Sequence, residues 1–157
     1  MMRIGQGLDV HAFSSDPERA LVLGGVVIPG AKGLEGHSDA DAVTHALADA
    51  LLGAAGLGDL GRHFPDDDEA SRGISSLLLL DQVVAKLDAA GFAAVSADVT
   101  IVAQTPKLAE HMGAMAQILS SRLGAPVSVK ATTTEHLGAL GRAEGIAALA
   151  VALVAAA

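Results

Sequence analysis

The chain of 157 residues contains no cysteine, no tryptophan and no tyrosine, and only three phenylalanines. Without cysteine there is no disulfide and no thiolate, so any metal must be held by imidazole and carboxylate. Aromatic content of 2% leaves almost no surface on which nucleic-acid bases could stack. Positive charge is also scarce: 10 Lys and Arg stand against 18 Asp and Glu, for a net charge of −8. Non-specific nucleic-acid binding needs a basic footprint, so the charge argues against nucleic acid as a partner. Hydrophobic residues make up 51%, yet charge or glycine interrupts each apolar run short of the roughly 20 residues that span a bilayer. No membrane segment is predicted. The N-terminus shows no basic stretch followed by an apolar one, so no leader is predicted and the cytoplasm is the expected compartment.

The acidic balance has a second consequence. A phosphorylated substrate would be repelled by the protein's own field, and metal ions or a few placed cations would have to reverse that field locally.

Within these limits the chain reads as one α/β domain over residues 1–157. Residues 3–13 alternate as a strand, and Leu21 to Pro29 reads as two short strands around Gly24-Gly25. Ser38 with Asp41 three residues on has the form of a capping box, opening a helix that runs to about Gly56. Ile74 to Ala90 and Pro106 to Gly124 read as helices, Ala94 to Ala103 and Val127 to Ala131 as strands. The tail from Ile146 to Ala157 is ambiguous, because its alanines favour helix while its valines settle no period.

Chemistry concentrates in two segments, Asp9-Val10-His11 and His37-Ser38-Asp39-Ala40-Asp41-Ala42-Val43-Thr44-His45. Residues two apart on a strand share a face, so Asp9 and His11 point the same way. A helix packed beside that strand can add His45. Two imidazoles and a carboxylate suit a borderline divalent ion such as Zn²⁺, with a fourth position open for catalysis. Asp41, His45 and Asp49 are spaced by four, so one of these carboxylates could orient the imidazole; Asp39 is a further candidate for such a role. His63, His111 and His136 receive no role. A D-x-H triplet alone is common, and the two-His-one-carboxylate arrangement also serves non-haem Fe(II) oxygenases, which usually begin H-x-D on a strand-rich jelly roll.

Several further motifs give the chain its resemblance. They are Arg3-Ile4-Gly5-x-Gly7-x-Asp9-Val10-His11-x-Phe13, His37-Ser38-Asp39-x-Asp41 with His45, Gly58-Asp59-x-Gly61 with Phe64-Pro65-Asp66, Ala103-Gln104-x-Pro106-Lys107, Lys130 to Glu135, and Gly141-Arg142-x-Glu144-Gly145. In this order and spacing the chain resembles the 2-C-methyl-D-erythritol 2,4-cyclodiphosphate synthase family over nearly its whole length.

The resemblance implies a mixed β-sheet packed against helices on one side, in a homotrimer whose active sites lie between subunits. It implies that Glu144 to Val154 is a strand. It implies release of CMP from a small diphosphocytidyl substrate as its own 2-phosphate closes a cyclic diphosphate. Asp9, His11 and His45 would hold Zn²⁺, and Glu135 would hold Mg²⁺ or Mn²⁺. His37 and Thr133 would contact the phosphates as catalytic residues, with Ser38 beside them at a helix N-terminus. Asp59, Leu60, Gly61, Phe64, Pro65, Asp66 and Asp68 would bind the methylerythritol part. Ala103, Pro106, Lys107 and Leu108, with Thr132 and Thr134, would form the cytidine and phosphate contacts, and Arg142 would bind phosphate near the trimer axis. Two departures stand out: Gln6 replaces a frequent histidine or aromatic, and Ala139 replaces an aromatic beside an axial cavity for an isoprenoid diphosphate. The alternative from another class is a non-catalytic trimeric module binding nucleotides or isoprenoid diphosphates, which would need neither Thr133 nor Glu135.

Overall fold

A computed structural model describes residues 1–65 and 72–157; the expectations for Asp66 and Asp68 lie outside the described residues. The chain order is β1 (Met2–Ala12), β2 (Leu21–Leu23), β3 (Val26–Ile28), α1 (Ala42–Ala55), α2 (Leu60–His63), α3 (Ser76–Ala89), β4 (Phe92–Val102), α4 (Met112–Leu123), β5 (Val127–Thr132), α5 (Gly138–Gly141) and β6 (Gly145–Ala156).

Four strands form a mixed sheet in the order β1-β6-β4-β5. β6 is antiparallel to both neighbours, while β4 and β5 are parallel, because α4 carries the chain back across the face between them. Helices α1, α3 and α4 cover one face. The expected mixed sheet with helices on one side is therefore what the chain forms. The strand implied for Glu144 to Val154 is β6, shifted to Gly145–Ala156. Its alanine content follows from its place: Ala148, Ala150 and Ala152 are buried in the middle of the sheet. Small side chains there let α1 lie close, and the sheet's hydrogen bonds on both edges override alanine's helical preference.

The close approach of α1 depends on Gly5 and Gly7. A Cβ on Gly5 would stand 2.0 Å from the Ala50 carbonyl oxygen, and one on Gly7 would stand 1.9 Å from that of Ala46. Only hydrogen fits in either gap. The same strand face then continues to Asp9 and His11, so the helix that rests on the glycines carries His45 to those two side chains.

The start of α1 differs from the sequence expectation. Its N-cap is Asp41, whose Oδ1 accepts from Thr44 N–H at 3.0 Å; Ser38 lies three residues upstream, in the preceding loop. Asp41 is fully buried and also accepts from the Gly24 and Gly25 N–H groups, both at 2.8 Å, and from the Thr44 hydroxyl at 2.7 Å. One carboxylate thus ties the β2–β3 turn to the helix start. That explains why it cannot also face His45. The helix expected from Pro106 begins only at Met112.

The other sheet face carries exposed apolar side chains: Ile4 (72%), Leu8 (60%) and Val10 (56%) on β1, with Val151 (42%) on the adjoining strand. Among the described residues, no helix is long and apolar enough to cross a membrane.

Candidate active site

Asp9 and His11 project from the helix-facing side of β1, and His45 reaches them from the first turn of α1. His11 Nε2 lies 2.7 Å and His45 Nδ1 3.1 Å from the same oxygen, Asp9 Oδ2. The three ligand atoms all fall within 4.8 Å of one another.

The far sides of both imidazoles fix their tautomers. His11 Nδ1 is 2.6 Å from the Glu35 carbonyl oxygen. A carbonyl only accepts, so Nδ1 carries the proton and Nε2 presents a lone pair. That Nε2 is buried against Asp9 Oδ2. His45 Nε2 is 2.8 Å from the Ser76 hydroxyl, which donates in turn to Asp39 Oδ1. The Asp39 carboxylate also accepts from the Ser76 N–H at 3.0 Å and the Asp41 N–H at 3.2 Å. The serine oxygen therefore accepts from His45 Nε2–H, leaving the Nδ1 lone pair facing Asp9.

Two imidazole lone pairs aimed at one carboxylate oxygen repel unless a cation or a proton lies among them. In the metal-free protein the answer is electrostatic. Burial works to raise the Asp9 carboxyl, but the hydrogen bonds and charges of His11 and His45 outweigh it and hold it well below the usual carboxylate range. The Asp9 hydrogen bond raises the His11 imidazole above its ordinary value against the opposing effect of burial. A divalent cation satisfies all three groups without that proton, so the donor set fits a metal.

Around this centre, His37, Ser38, Leu60, Gly61, Phe64 and Leu79 complete a cavity of about 240 Å³. Ser38 Oγ lies 3.3 Å from His45 Nε2. Asp59 caps α2 by accepting from Arg62 N–H at 2.9 Å, and Asp49 accepts from Leu60 N–H at 2.9 Å. Asp49 thereby anchors Leu60 and Gly61 at the cavity wall. Neither Asp41 nor Asp49 orients His45, contrary to the helical-spacing expectation; Ser76 does, backed by Asp39. Ser76 carries no distinguishing signal in the sequence, because serine at a helix start reads as ordinary capping.

Ala103, Thr132, Thr133, Thr134 and Glu135 form a second group at the ends of β4 and β5 that does not line this cavity. Ala103 N–H donates to the Thr132 carbonyl at 3.0 Å, and His136 N–H to Gln104 Oε1 at 3.1 Å, so the two loops adjoin. Thr133 Oγ1 accepts from Glu135 N–H at 3.1 Å and lies 3.4 Å from Glu135 Oε1. Glu135 and His136 both hold left-handed backbone, with φ of 53° and 63°. Lys107 and Arg142 are exposed, Pro65 is exposed, Thr134 is half-buried, and Leu108 is buried in the core. Arg142 pairs with Glu144 at 3.1 Å. Pro106 lines a separate cavity of about 400 Å³ with Phe13 and Pro29 to Lys32.

The family model for the YgbB family matches residues 2–155. The chain belongs to the YgbB family. A relative from Bordetella petrii, named 2-C-methyl-D-erythritol 2,4-cyclodiphosphate synthase, is 56% identical over 98% of this chain and 95% of its own length. Among solved structures, bifunctional IspDF from Campylobacter jejuni matches with a TM-score of 0.94 and 41% identity over the whole of this chain, which spans 43% of that longer one. The Plasmodium falciparum IspF CDP complex matches with a TM-score of 0.84 and 31% identity, over 99% of this chain and 96% of its own. YgbB-family membership agrees with the sheet, its one-sided helices and the Asp-His-His cluster described above.

Proposed function

We propose that residues 1–157 act as one synthase domain, a phosphorus–oxygen lyase of the non-mevalonate isoprenoid pathway. It converts 4-diphosphocytidyl-2-C-methyl-D-erythritol 2-phosphate to 2-C-methyl-D-erythritol 2,4-cyclodiphosphate and CMP. The observation that carries the proposal is the cavity that joins Asp9, His11 and His45 to His37 and Ser38, in a chain of this family. The CDP of the Plasmodium relative carries the diphosphocytidyl group expected of the substrate.

An oxygen of the 2-phosphate forms a bond to the β-phosphorus, and the bond from that phosphorus to the bridging oxygen breaks. CMP leaves with the electron pair. Such a transfer needs in-line positioning and charge neutralisation more than covalent help. Asp9, His11 and His45 would hold Zn²⁺, and Glu135 would hold a harder cation, Mg²⁺ or Mn²⁺. When bound, zinc supplies Lewis-acid polarisation of a phosphate oxygen. His37, Ser38 and Thr133 donate hydrogen bonds to the phosphates, with Thr132 and Thr134 flanking them. Asp59 accepts from the methylerythritol hydroxyls while Leu60, Gly61, Phe64 and Pro65 shape that end.

Ala103, Pro106, Lys107 and Leu108 receive the cytidine, and Arg142 takes a phosphate near the axis. These residues and Glu135 lie outside the metal cavity of their own chain, which supports a site completed by a second subunit. The exposed apolar sheet face of Ile4, Leu8, Val10 and Val151 supplies the surface for a homotrimer. Ala139 leaves an isoprenoid diphosphate on that axis without an aromatic contact.

The test is CMP release from the diphosphocytidyl 2-phosphate substrate, with and without divalent metal. Metal-dependent release supports the proposal. No release with fully metal-loaded protein would replace it with a binding module.

A further inference from the structure

The segment from Leu34 to Ser38 runs beside the metal cluster, and all five of its carbonyls have partners. Those of Leu34, Gly36 and Ser38 accept from Arg19: Nε donates to Leu34, and Nη2 donates to Gly36 at 3.0 Å and Ser38 at 2.7 Å. The two between them turn elsewhere. The Glu35 carbonyl lies against His11 Nδ1 at 2.6 Å, and the His37 carbonyl accepts from Gly73 N–H at 3.0 Å. One guanidinium therefore fixes alternate peptide planes, and through them the two planes it does not touch.

Arg19 is itself seated closely. A Cβ on Gly33 would stand 2.4 Å from the Arg19 carbonyl oxygen, so the two backbones can meet only at glycine. Leu34 is buried, whereas Glu35 and Gly36 are exposed. Past Leu34 the segment has polar rather than apolar anchorage. Bonding three carbonyls from one side chain uses the planar fork of arginine; the compact ammonium of lysine cannot span them.

We propose that Arg19 is a positioning residue: it holds the Leu34–Ser38 segment so that the Glu35 carbonyl selects the metal-binding tautomer of His11 and His37 and Ser38 face the cavity. The part concerning His37 and Ser38 rests on the proposed function; the part concerning His11 does not.

Arg19→Met and Arg19→Lys, made in the full chain, provide the test. Three quantities are read: zinc affinity of the metal-free protein against a chromogenic chelator, kcat and KM for CMP release, and the ¹H–¹⁵N signal of His11 Nδ1–H. Arg19→Met should weaken zinc binding about tenfold, the low end for loss of a group that orients a metal ligand. It should lower kcat more than KM changes, and broaden or remove the Nδ1–H signal. Arg19→Lys should recover part of each. An Arg19→Met protein with wild-type zinc affinity, kcat and Nδ1–H signal, altered only in melting temperature, would overturn the proposal. If Arg19→Met does not fold, Arg19→Lys decides: unchanged zinc affinity and kcat overturn the proposal, and a clear loss of both in folded protein supports it. Should the wild-type protein release no CMP, the synthase reading fails, while zinc affinity and the Nδ1–H signal still decide the role of Arg19.

Discussion

His11 turns Nε2 toward Asp9 Oδ2, 2.7 Å away, because its Nδ1 is committed to the carbonyl of Glu35. This relationship gives the site its metal-binding character, and it follows from two residues on one strand face and a carbonyl on a neighbouring loop.

Removing one ligand should remove the metal. His45→Ala is expected to lose bound zinc while the fold persists, because His45 is half-buried and its loss uncovers no large apolar cavity. Metal content of dialysed protein by mass spectrometry checks this: about one zinc per chain for wild type and close to none for the variant, as a three-residue site that drops to two implies.

The pH dependence of the metal-free protein should reflect the Asp9–His11 pair. His11 is raised above its ordinary 6.5, so its contribution to stability is fully present below 6.5 and is lost as pH rises through the higher folded value. Asp9 is lowered from 3.8, so its contribution is present above 3.8 and lost as pH falls through the lower folded value. Melting temperatures of metal-free protein should therefore decline above pH 6.5. Zinc affinity should rise over the same range, since zinc displaces the proton. Parallel thermal scans and zinc titrations across pH measure both trends.

How much of this was legible in the sequence differs by element. The strand bearing Asp9 and His11 and the helix bearing His45 could be read from alternation and apolar spacing, because both periodicities are local. The partner of His45 could not. Spacing by four put forward Asp41 and Asp49, but Asp41 is drawn to the Gly24–Gly25 turn and Asp49 to Leu60 N–H. The true partner, Ser76, lies 31 residues from His45 along the chain. Likewise the alanine-rich β6 carries no local signal for a strand; its state is decided by β1 and β4 on either side of it, and only the family resemblance anticipated it.

Gly7→Ala tests how the helix reaches the strand. Its added Cβ would stand 1.9 Å from the Ala46 carbonyl oxygen, so α1 must move away. A loss of about 1–3 kcal/mol in unfolding free energy is expected, the range for overpacking a close contact. Weaker zinc binding should accompany it, because His45 rides on the same helix. Chemical denaturation and metal titration of the variant give the two quantities.

Glu135→Gln separates the two proposed ions. The substitution lies outside the Asp9, His11 and His45 cluster, so zinc content should stay at the wild-type value. Turnover should fall, most at limiting Mg²⁺. Unchanged turnover at low Mg²⁺ would remove Glu135 from the metal assignment.

Leu8→Asp tests the assembly. Leu8 is 60% exposed on the open sheet face beside Ile4 and Val10, where a buried unpaired charge would oppose subunit packing. Light scattering should give a trimer mass for wild type and a smaller species for the variant. CMP release should fall with the trimer, since cytidine and metal contacts would come from different subunits.

The product of the reaction tests the central claim most directly. ³¹P NMR of a completed reaction with the diphosphocytidyl 2-phosphate substrate should show CMP together with the two coupled resonances of a cyclic diphosphate. CMP accompanied only by a linear phosphate would contradict the account, because water rather than the substrate's own 2-phosphate would then be the nucleophile.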